Sequence, residues 1–298
     1  MACSLDESYR HCQRLAKRTA GNFYFSFLTL PRDRFRAMCA LYSFMRETDD
    51  HGDSDQSRDV RTVGLAAWRS EVARVLDGAD AVHPVLPALA DVVRCHSIPR
   101  QSLFDVITGV EMDVGPVAIQ TFDELRRYCH HVAGAVGLAC IHVWGFHDDR
   151  AIAAAEECGL AFQITNILRD LREDVARDRI YLPREDLDRF GYSSDDLRRG
   201  VVDDRLRNLM QFEVARAREH YHRATALFDY LDAPGLPILD AMLKIYGGLL
   251  DEIERHGYDV FSRRVSLSRW RKWRITAGAW WRNRRGVRRR IAEGGTGT

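Results

Sequence analysis

The chain has 298 residues, of which 44 are Lys or Arg and 43 are Asp or Glu, so its formal net charge is +1. A hydrophobic content of 46% excludes an intrinsically disordered protein and is sufficient for a large buried core. The charge is unevenly distributed, because residues 263–298 contain 12 basic and one acidic residue, whereas residues 1–262 contain 32 basic and 42 acidic residues. This asymmetry predicts an anionic partner for the C-terminal tail, either a membrane surface or a nucleic acid.

The location of the protein is predicted from its cysteines and its apolar segments. The seven cysteines are scattered and odd in number, and no two form a CxxC pair, so they indicate neither a disulfide framework nor a zinc site. Residues 1–18 are polar and lack the apolar segment of a signal peptide. The longest uncharged run, residues 130–147, is too short and too rich in glycine and histidine to span a bilayer, and we expect a buried helix there. The protein is therefore predicted to be cytoplasmic.

Helices are predicted along the whole chain. Proline interrupts helix interiors, and four long stretches lack it: 32–83, 117–182, 184–233 and 238–298. Within these stretches apolar residues recur every three or four positions, as in an amphipathic helix, and the strict alternation of a strand is hard to find. Loops are predicted where Pro, Gly and Asp cluster, near residues 77–87, 97–101, 113–121, 178–193 and 232–237. The predicted fold class is all-α, with one helical domain around a central core.

The first acidic cluster lies near residue 50. Asp49 and Asp53 are four residues apart, so they share one face of a helix. Such a pair is most often part of a solvated surface, and Gly52 weakens the local helix. The first cluster alone therefore does not decide between a solvated surface pair and a functional site.

The second acidic cluster is more specific. Gln163, Asn166, Asp170 and Asp174 share one helix face, and that face points to the same side as the apolar residues. Polar groups in such a position are costly unless they are satisfied. Carboxylate and amide oxygens without sulfur or imidazole suit Mg²⁺, which binds proteins through one or two carboxylates together with a substrate phosphate. Two such clusters facing each other predict several Mg²⁺ ions around a diphosphate.

The motifs in these segments resemble those of the squalene/phytoene synthase family, over residues 20–270. The most specific match begins at Gln163 and runs through Asp174 to Pro183. Further matches, in chain order, are 23–24, 30–31, 37–46, 49–53, 109–113, 122–125, 128–137, 246 and 250–253. The resemblance implies an all-α isoprenoid-synthase fold with a deep central cavity, a catalytic domain of residues 1–262, and a basic, Trp-rich tail of residues 263–298.

The resemblance also implies roles for single residues. The implied Mg²⁺ ligands are Asp49, Asp53, Asn166, Asp170 and Asp174. The implied catalytic residues are Tyr42, Asp49, Asp53, Asp170 and Asp174. The implied contacts to diphosphate or prenyl chain are Asn22, Phe23, Tyr42, Arg46, Tyr128, Gln163, Arg169 and Tyr246. The segment before Phe23 departs from the family, which usually has serines there, and Asn22 is the candidate substitute.

The implied reaction is the head-to-head condensation of two prenyl diphosphates. Ionisation of one allylic diphosphate gives a cation that the second substrate attacks, forming a cyclopropylcarbinyl diphosphate that can ionise again and rearrange. Two alternatives stay open at this point, a head-to-tail prenyl elongase and a non-catalytic, membrane-docking lipid-binding protein. Farnesyl and geranylgeranyl diphosphate are both possible substrates. Residues 109–113 resemble bacterial presqualene diphosphate synthases and give a slight preference for the thirty-carbon route, whereas residues 258–261 resemble phytoene synthases. The sequence has no dinucleotide fingerprint, so no nicotinamide cofactor is predicted.

The tail contains four of the six tryptophans, Trp270, Trp273, Trp280 and Trp281, interleaved with Arg and Lys. This combination is typical of a helix that lies in the membrane interface. A membrane surface is therefore favoured over a nucleic acid or a solvated end, which predicts a peripheral position on the inner face of the membrane. The oligomeric state is not predicted.

Overall fold

The computed structural model describes residues 3–53, 56–268, 270–279 and 281, without the side chains of Asn22 and Phe23. The α-helices are α1 (Leu5–Thr19), α2 (Gly21–Phe27), α3 (Arg32–Gly52), α4 (Arg58–Leu76), α5 (Leu86–Cys95), α6 (Arg100–Met112), α7 (Phe122–Cys129), α8 (Ala135–Trp144), α9 (Arg150–Ala176), α10 (Arg184–Arg189), α11 (Ser194–Arg199), α12 (Asp204–Ala224) and α13 (Leu236–Arg255). A π-helix (His130–Gly134) joins α7 to α8, and a 3₁₀-helix (Thr225–Asp229) follows α12. Two short strands, β1 (Val117–Ala118) and β2 (Arg179–Ile180), pair in parallel.

The helices begin and end where local chemistry satisfies their free backbone groups. The Ser4 hydroxyl accepts a hydrogen bond from the Glu7 amide, and the Glu7 carboxylate accepts one from the Ser4 amide. The Asp203 carboxylate caps α12 in the same way. Pro31 and Pro99 immediately precede α3 and α6, where the missing proline amide costs no hydrogen bond. These two prolines thus stand before helices rather than inside them, in agreement with the expectation that proline interrupts helix interiors.

Helix α9 lies at the centre of the molecule. Its first half contributes Ala151, Ala155 and Cys158 to a core shared with α3, α5, α6 and α8. Its second half contributes Ile164 and Leu168 to a second core shared with α12 and α13. The predicted face of polar residues on α9 therefore runs through the middle of the fold rather than along its surface.

Two segments differ from the prediction. Residues 130–147 do not form one continuous buried helix, because a π-helix precedes α8 and Gly145, at φ 86°, ends it. The loop predicted at 178–193 contains β2 and α10. Pairing of residues 179–180 with β1 is a long-range contact, which local composition does not reveal. Among the described residues, no helix combines the length and apolar character needed to cross a bilayer.

Close packing of α9 against the π-helix gives a first testable prediction. A Cβ on Gly159 would lie 2.8 Å from backbone atoms of Ala133 and 2.9 Å from the amide nitrogen of Gly134. Backbone cannot move aside as a side-chain end can, so we expect Gly159→Ala to destabilise the protein by about 1–3 kcal/mol. Urea unfolding measures this difference.

Gly247 in α13 is the matched control, because a Cβ there meets no other atom within 4 Å. Gly247→Ala is expected to stabilise the fold by about 0.5–1 kcal/mol through helix propensity alone. Equal effects of the two substitutions would contradict the close approach of α9 to the π-helix.

Candidate active site

A largely apolar cavity of about 350 Å³ lies between α3, α6, α8, α9 and α13. Its polar lining includes Asp49, Gln163 and Asn166. The remaining apolar lining consists of Phe27, Met38, Leu41, Met45, Val106, Val110, Val132, Val136, Cys140 and Met242. A long hydrocarbon with one charged end fits such a cavity.

A second, smaller chamber of about 120 Å³ adjoins the first and shares Gln163 and Asn166 with it. Two glycines line this chamber: Gly137 lets α8 approach α9 closely, and Gly159 lets α9 approach the π-helix. Tyr246 also lines the chamber and stacks on Phe162, with ring centroids 4.4 Å apart. The two spaces share Gln163 and Asn166 as polar lining, together with the apolar residues Val132, Val136, Cys140 and Met242.

The first carboxylate cluster lies at the C-terminal end of α3. Asp49 keeps solvent-accessible surface, but crowding by the surrounding protein desolvates it and raises its pKa to about 7; the charge of Asp53 adds to this, and Arg46 opposes it. Arg46 is itself hydrogen-bonded to Asp50 rather than to Asp49. The negative end of the helix dipole also disfavours charge on these carboxylates. An added cation would therefore be strongly stabilised there.

The second carboxylate cluster lies in the last two turns of α9. Asp170 accepts hydrogen bonds from Arg169 and from Arg264 of the tail, the latter at 3.0 and 3.2 Å. Partial burial opposes ionisation of Asp170, but the hydrogen bonds and charge of Arg169, and then Arg264, outweigh it and lower the pKa. The backbone at Asp170 leaves the helical region, at φ −104° and ψ 16°, which kinks α9 at this residue.

On the same helix, Asp174 has a raised pKa and Asn166 has an unsatisfied oxygen. Burial, and then the charge of Asp170, raise the pKa of Asp174 to about 7, while Arg179 opposes the shift. The Asn166 side chain donates to Gln163 Oε1 at 3.3 Å, but its own oxygen Oδ1 is buried without a hydrogen-bond partner. Buried acceptors are nearly always satisfied, so this oxygen is suited to an additional cation or donor.

Asp113 links the two clusters, and the sequence did not reveal this role. Its carboxylate accepts hydrogen bonds from Tyr128 at 2.9 Å and Tyr181 at 2.8 Å. Arg179 donates to the Asp113 carbonyl at 2.7 Å and to Asp53 Oδ1 at 3.3 Å. The charge of Asp113 contributes to the raised pKa of both Asp49 and Asp174. Asp113 and Arg179 thus lie close enough to both clusters to influence the charge of each.

The other predicted substrate contacts lie around the same cavity. Tyr42 and Arg46 line it from α3, and the Tyr42 hydroxyl donates to Thr19 Oγ1 at 3.2 Å. Tyr128 lines it from α7 with its hydroxyl directed to Asp113. Arg169 is hydrogen-bonded to Asp170 and is not part of the cavity lining. The side chains of Asn22 and Phe23 lie outside the described residues.

The predicted ligands do not form a compact metal cage. Within the described part of the chain, only Asp105, His130 and His131 bring three metal-ligating His, Cys, Asp or Glu donors within 4.8 Å of one another. The carboxylates of α3 and α9 are thus spaced more widely, which leaves room for a substrate phosphate between them. Arg264 and Arg179 add positive charge to this region. Arg264 was not among the residues predicted from the sequence, because it lies in the tail.

Comparison with known proteins identifies the family. Residues 16–271 match the family described as Squalene/phytoene synthase. The chain belongs to the squalene/phytoene synthase family. It is 36% identical over 281 residues to the 15-cis-phytoene synthase of Synechococcus elongatus, which covers 90% of this chain and 91% of that protein. It is 35% identical over 280 residues to the phytoene synthase of Mycobacterium tuberculosis, with coverages of 92% and 91%.

Solved structures of the squalene/phytoene synthase family share the fold. A dehydrosqualene synthase in complex with ligand superposes with a TM-score of 0.84 at 27% identity, over 92% of this chain and 96% of that one. A squalene synthase from Alicyclobacillus acidocaldarius superposes with a TM-score of 0.80 at 28% identity, over 86% and 96%. These matches confirm the predicted all-α isoprenoid-synthase fold.

Family membership also confirms the predicted reaction. The protein is a prenyltransferase that condenses two prenyl diphosphates head-to-head with release of diphosphate. The head-to-tail elongase and the non-catalytic lipid-binding protein are set aside by the same findings.

Proposed function

We propose that the protein condenses two molecules of geranylgeranyl diphosphate into the forty-carbon product phytoene. The observation that carries the proposal is a pair of adjoining apolar chambers that share Gln163 and Asn166, the larger of which is also lined by Asp49. Two adjoining apolar spaces with shared polar lining suit two substrates whose reacting ends must meet. The forty-carbon length is supported by the phytoene synthases among the relatives, although residues 109–113 alone slightly favoured the thirty-carbon route.

We further propose that Asp49, Asp53, Asn166, Asp170 and Asp174 hold Mg²⁺. The donor set fits this ion, because it consists of carboxylate and amide oxygens only. The unpartnered Asn166 Oδ1 and the raised pKa of Asp49 and Asp174 are further support, since a bound cation would satisfy the oxygen and stabilise the ionised carboxylates. When bound, Mg²⁺ supplies positive charge to the diphosphate as it leaves.

The protein's own residues bind and orient the diphosphate end of the substrate. Arg169 and Arg264 both contact Asp170, so a diphosphate placed beside this carboxylate lies within reach of two guanidinium groups, whose planar geometry matches phosphate oxygens. Arg46 has the same role beside Asp49. Charge that develops on the leaving group is thereby stabilised in a site that already holds the donors in place.

The apolar chambers protect the allylic cation from water. Their walls are mostly aliphatic, and burial raises the pKa of the lining Cys140 thiol to about 12, so this thiol stays protonated. The rings of Tyr42 and Phe27, whose centroids lie 6.3 Å apart in an edge-on arrangement, stabilise positive charge with their faces. The Tyr128 hydroxyl points to Asp113, so it is fixed at the cavity wall and does not approach the cation freely. Asn22, Phe23, Gln163 and Tyr246 stay predicted contacts to the substrate.

Product analysis tests the proposed chain length. Incubation of the protein with geranylgeranyl diphosphate and Mg²⁺, without nicotinamide, is expected to yield phytoene and two diphosphates per turnover. Mass spectrometry identifies the hydrocarbon, and a phosphate assay after pyrophosphatase treatment measures the release. Farnesyl diphosphate under the same conditions is the matched control and is expected to react at least tenfold more slowly. A thirty-carbon product formed at the higher rate would show that the length assignment is wrong.

We also propose that the tail docks the protein on an anionic membrane. Residues 270–279 are helical, and Trp270 and Trp273 are 75% and 54% exposed on one face of this segment. Exposed tryptophans side by side are unusual on a soluble surface and typical of a membrane interface. The opposite face is anchored, because Ala279 is buried and Arg271 is paired with Glu252 of α13. Trp280, Arg269 and residues 282–298 lie outside the described residues.

Binding to vesicles tests this proposal. The double variant Trp270→Ala, Trp273→Ala is expected to bind phosphatidylglycerol vesicles at least about tenfold more weakly, because two large apolar side chains no longer enter the interface. Sedimentation with vesicles measures the bound fraction. Val63→Ala removes an apolar residue that is 69% exposed elsewhere and should leave binding unchanged. Wild-type binding by the double variant would rule out docking through these tryptophans.

A further inference from the structure

Three metal-ligating side chains meet between α6 and the π-helix, in a place that the reaction does not use. Donor atoms of Asp105, His130 and His131 all lie within 4.8 Å of one another. The carboxylate oxygens of Asp105 lie 3.8 Å from His130 Nε2 and 3.5 Å from His131 Nδ1. Two ligands of a tetrahedral metal ion with bonds of about 2.0–2.1 Å are separated by about 3.4 Å. The three donors are therefore already close to the spacing that such an ion requires.

The Nδ1 atom of His131 has no hydrogen-bond partner that would compete with a metal ion. His131 Nδ1 is buried and makes no hydrogen bond. A buried ring nitrogen without a partner is unfavourable, because it has lost its contacts with water and gained none in return. Its nearest polar neighbour is the Asp105 carboxylate, at a distance suited to a shared ion.

The second histidine has the support that metal-binding histidines usually have. The Nδ1 atom of His130 lies 3.4 Å from Glu156 Oε1 on α9, while Nε2 faces Asp105. A carboxylate on the far ring nitrogen fixes the ring orientation and makes the ligating nitrogen a better donor. Both carboxylates thus contact the ring from the sides that a bound metal ion would require.

The ligand types distinguish this cluster from the proposed Mg²⁺ site. Two imidazoles with one carboxylate suit Zn²⁺ and related transition metals, whereas Mg²⁺ prefers oxygen alone. We propose that Asp105, His130 and His131 form a Zn²⁺-class transition-metal site with Glu156 as the outer partner of His130. Three protein ligands on side chains that are 15%, 40% and 28% exposed leave a coordination position open to water. The site contains no cysteine, so cysteine spacing gave no sign of it.

A metal ion at this position would tie two walls of the cavity together. Val106 follows Asp105 on α6, and Val132 follows His131 in the π-helix, and both valines line the cavity. A π-turn within a helical segment frequently marks a functional position. The ion would therefore stabilise the cavity wall without contacting the substrate.

Titration with Co²⁺ and Zn²⁺ tests the site. The full chain, stripped of metal and held in excess Mg²⁺ to occupy the carboxylates of α3 and α9, is titrated with Co²⁺. One equivalent is expected to give the visible absorption of a four- or five-coordinate ion, and Zn²⁺ should displace it. His131→Asn and Asp105→Asn are expected to weaken binding by more than about tenfold, and Glu156→Gln by about tenfold. Zn²⁺ should raise the thermal midpoint of the wild-type protein and not that of His131→Asn.

His222→Asn is the matched control, because this histidine is exposed on α12 and belongs to no such cluster. It should bind Co²⁺ as the wild-type protein does. Glu156→Gln changes a half-exposed surface side chain, so it keeps the test decisive if a histidine variant fails to fold. Equal Co²⁺ affinity in the wild-type protein, Glu156→Gln and every folded ligand variant would overturn the proposal. So would the intense near-ultraviolet band of thiolate ligation persisting unchanged in these variants. Neither result would bear on the prenyltransferase activity.

Discussion

Replacing Asp170 by asparagine is expected to lower kcat by at least about 100-fold while the protein stays folded. Asp170 is ionised, because its pKa is lowered by Arg169 and Arg264 despite partial burial, and it is a proposed Mg²⁺ ligand between two guanidinium groups. Asparagine keeps the shape but removes the charge that would hold the ion. Steady-state kinetics with geranylgeranyl diphosphate measures the loss, and circular dichroism confirms the fold.

The Mg²⁺ dependence separates a ligand from a merely structural carboxylate. The Mg²⁺ concentration for half-maximal rate should rise at least about tenfold in Asp170→Asn, because one charged ligand is gone. Asp188→Asn is the control, since this carboxylate of α10 is 64% exposed and pairs with Arg184, away from the proposed site. If Asp170→Asn keeps more than half of the wild-type rate at ordinary Mg²⁺ concentrations, the assignment of Asp170 to the site is wrong.

Mg²⁺ affinity is expected to rise about tenfold for each of Asp49 and Asp174 between pH 6 and pH 8. The pKa of each is raised to about 7, by burial first and then by a neighbouring carboxylate. A carboxyl group must lose its proton before it binds a metal ion, so protons compete with Mg²⁺ below this pKa and cease to compete above it. Isothermal titration calorimetry without diphosphate measures the affinity, free of the titration of the substrate itself.

The same shifts fix the sign of a stability change without metal. The folded protein retains protons on these carboxyls between about pH 4 and pH 7, whereas the unfolded chain has lost them, so stability falls as the pH rises through this window. Mg²⁺ binding at pH 6.5 is expected to release protons, and Asp49→Asn should release about one proton fewer than the wild-type protein. Calorimetric titrations in two buffers of different ionisation enthalpy measure the number released. Asp188→Asn is the control, because this carboxylate of α10 pairs with Arg184 and does not contribute to the raised pKa of Asp49 or Asp174; it should leave proton release unchanged. An affinity that is constant from pH 6 to pH 8 would contradict this explanation.

Helix α9 shows most clearly which parts of the candidate site could be predicted from the sequence. The positions of Gln163, Asn166 and Asp170 on one face follow from helix geometry, and the buried side of that face follows from the apolar residues around it. The kink at Asp170 could not be predicted in this way, because the nearby sequence contains neither proline nor glycine. Contacts from Arg264, 94 residues further along the chain, accompany it.

Asp113 and the group formed by Asp105, His130 and His131 show the same limit of prediction from sequence. Asp113 lies in a motif that the family resemblance drew attention to, but its neighbours Tyr128, Tyr181 and Arg179 come from other segments. His130 and His131 are adjacent in the sequence, but their partner Asp105 lies on a different helix. Spacing along one helix cannot reveal such groups.

The sequence by itself determined the all-α class, the family and its reaction, and the two polar faces, because helical period and motif spacing are local properties of the chain. The separation of an acidic body from a basic tail could also be counted directly. Only the tertiary structure decided that the tail returns to the body, where Arg264 contacts Asp170 and Leu267 packs beside Tyr246. That outcome depends on long-range burial of a few apolar side chains, which neither charge nor periodicity records.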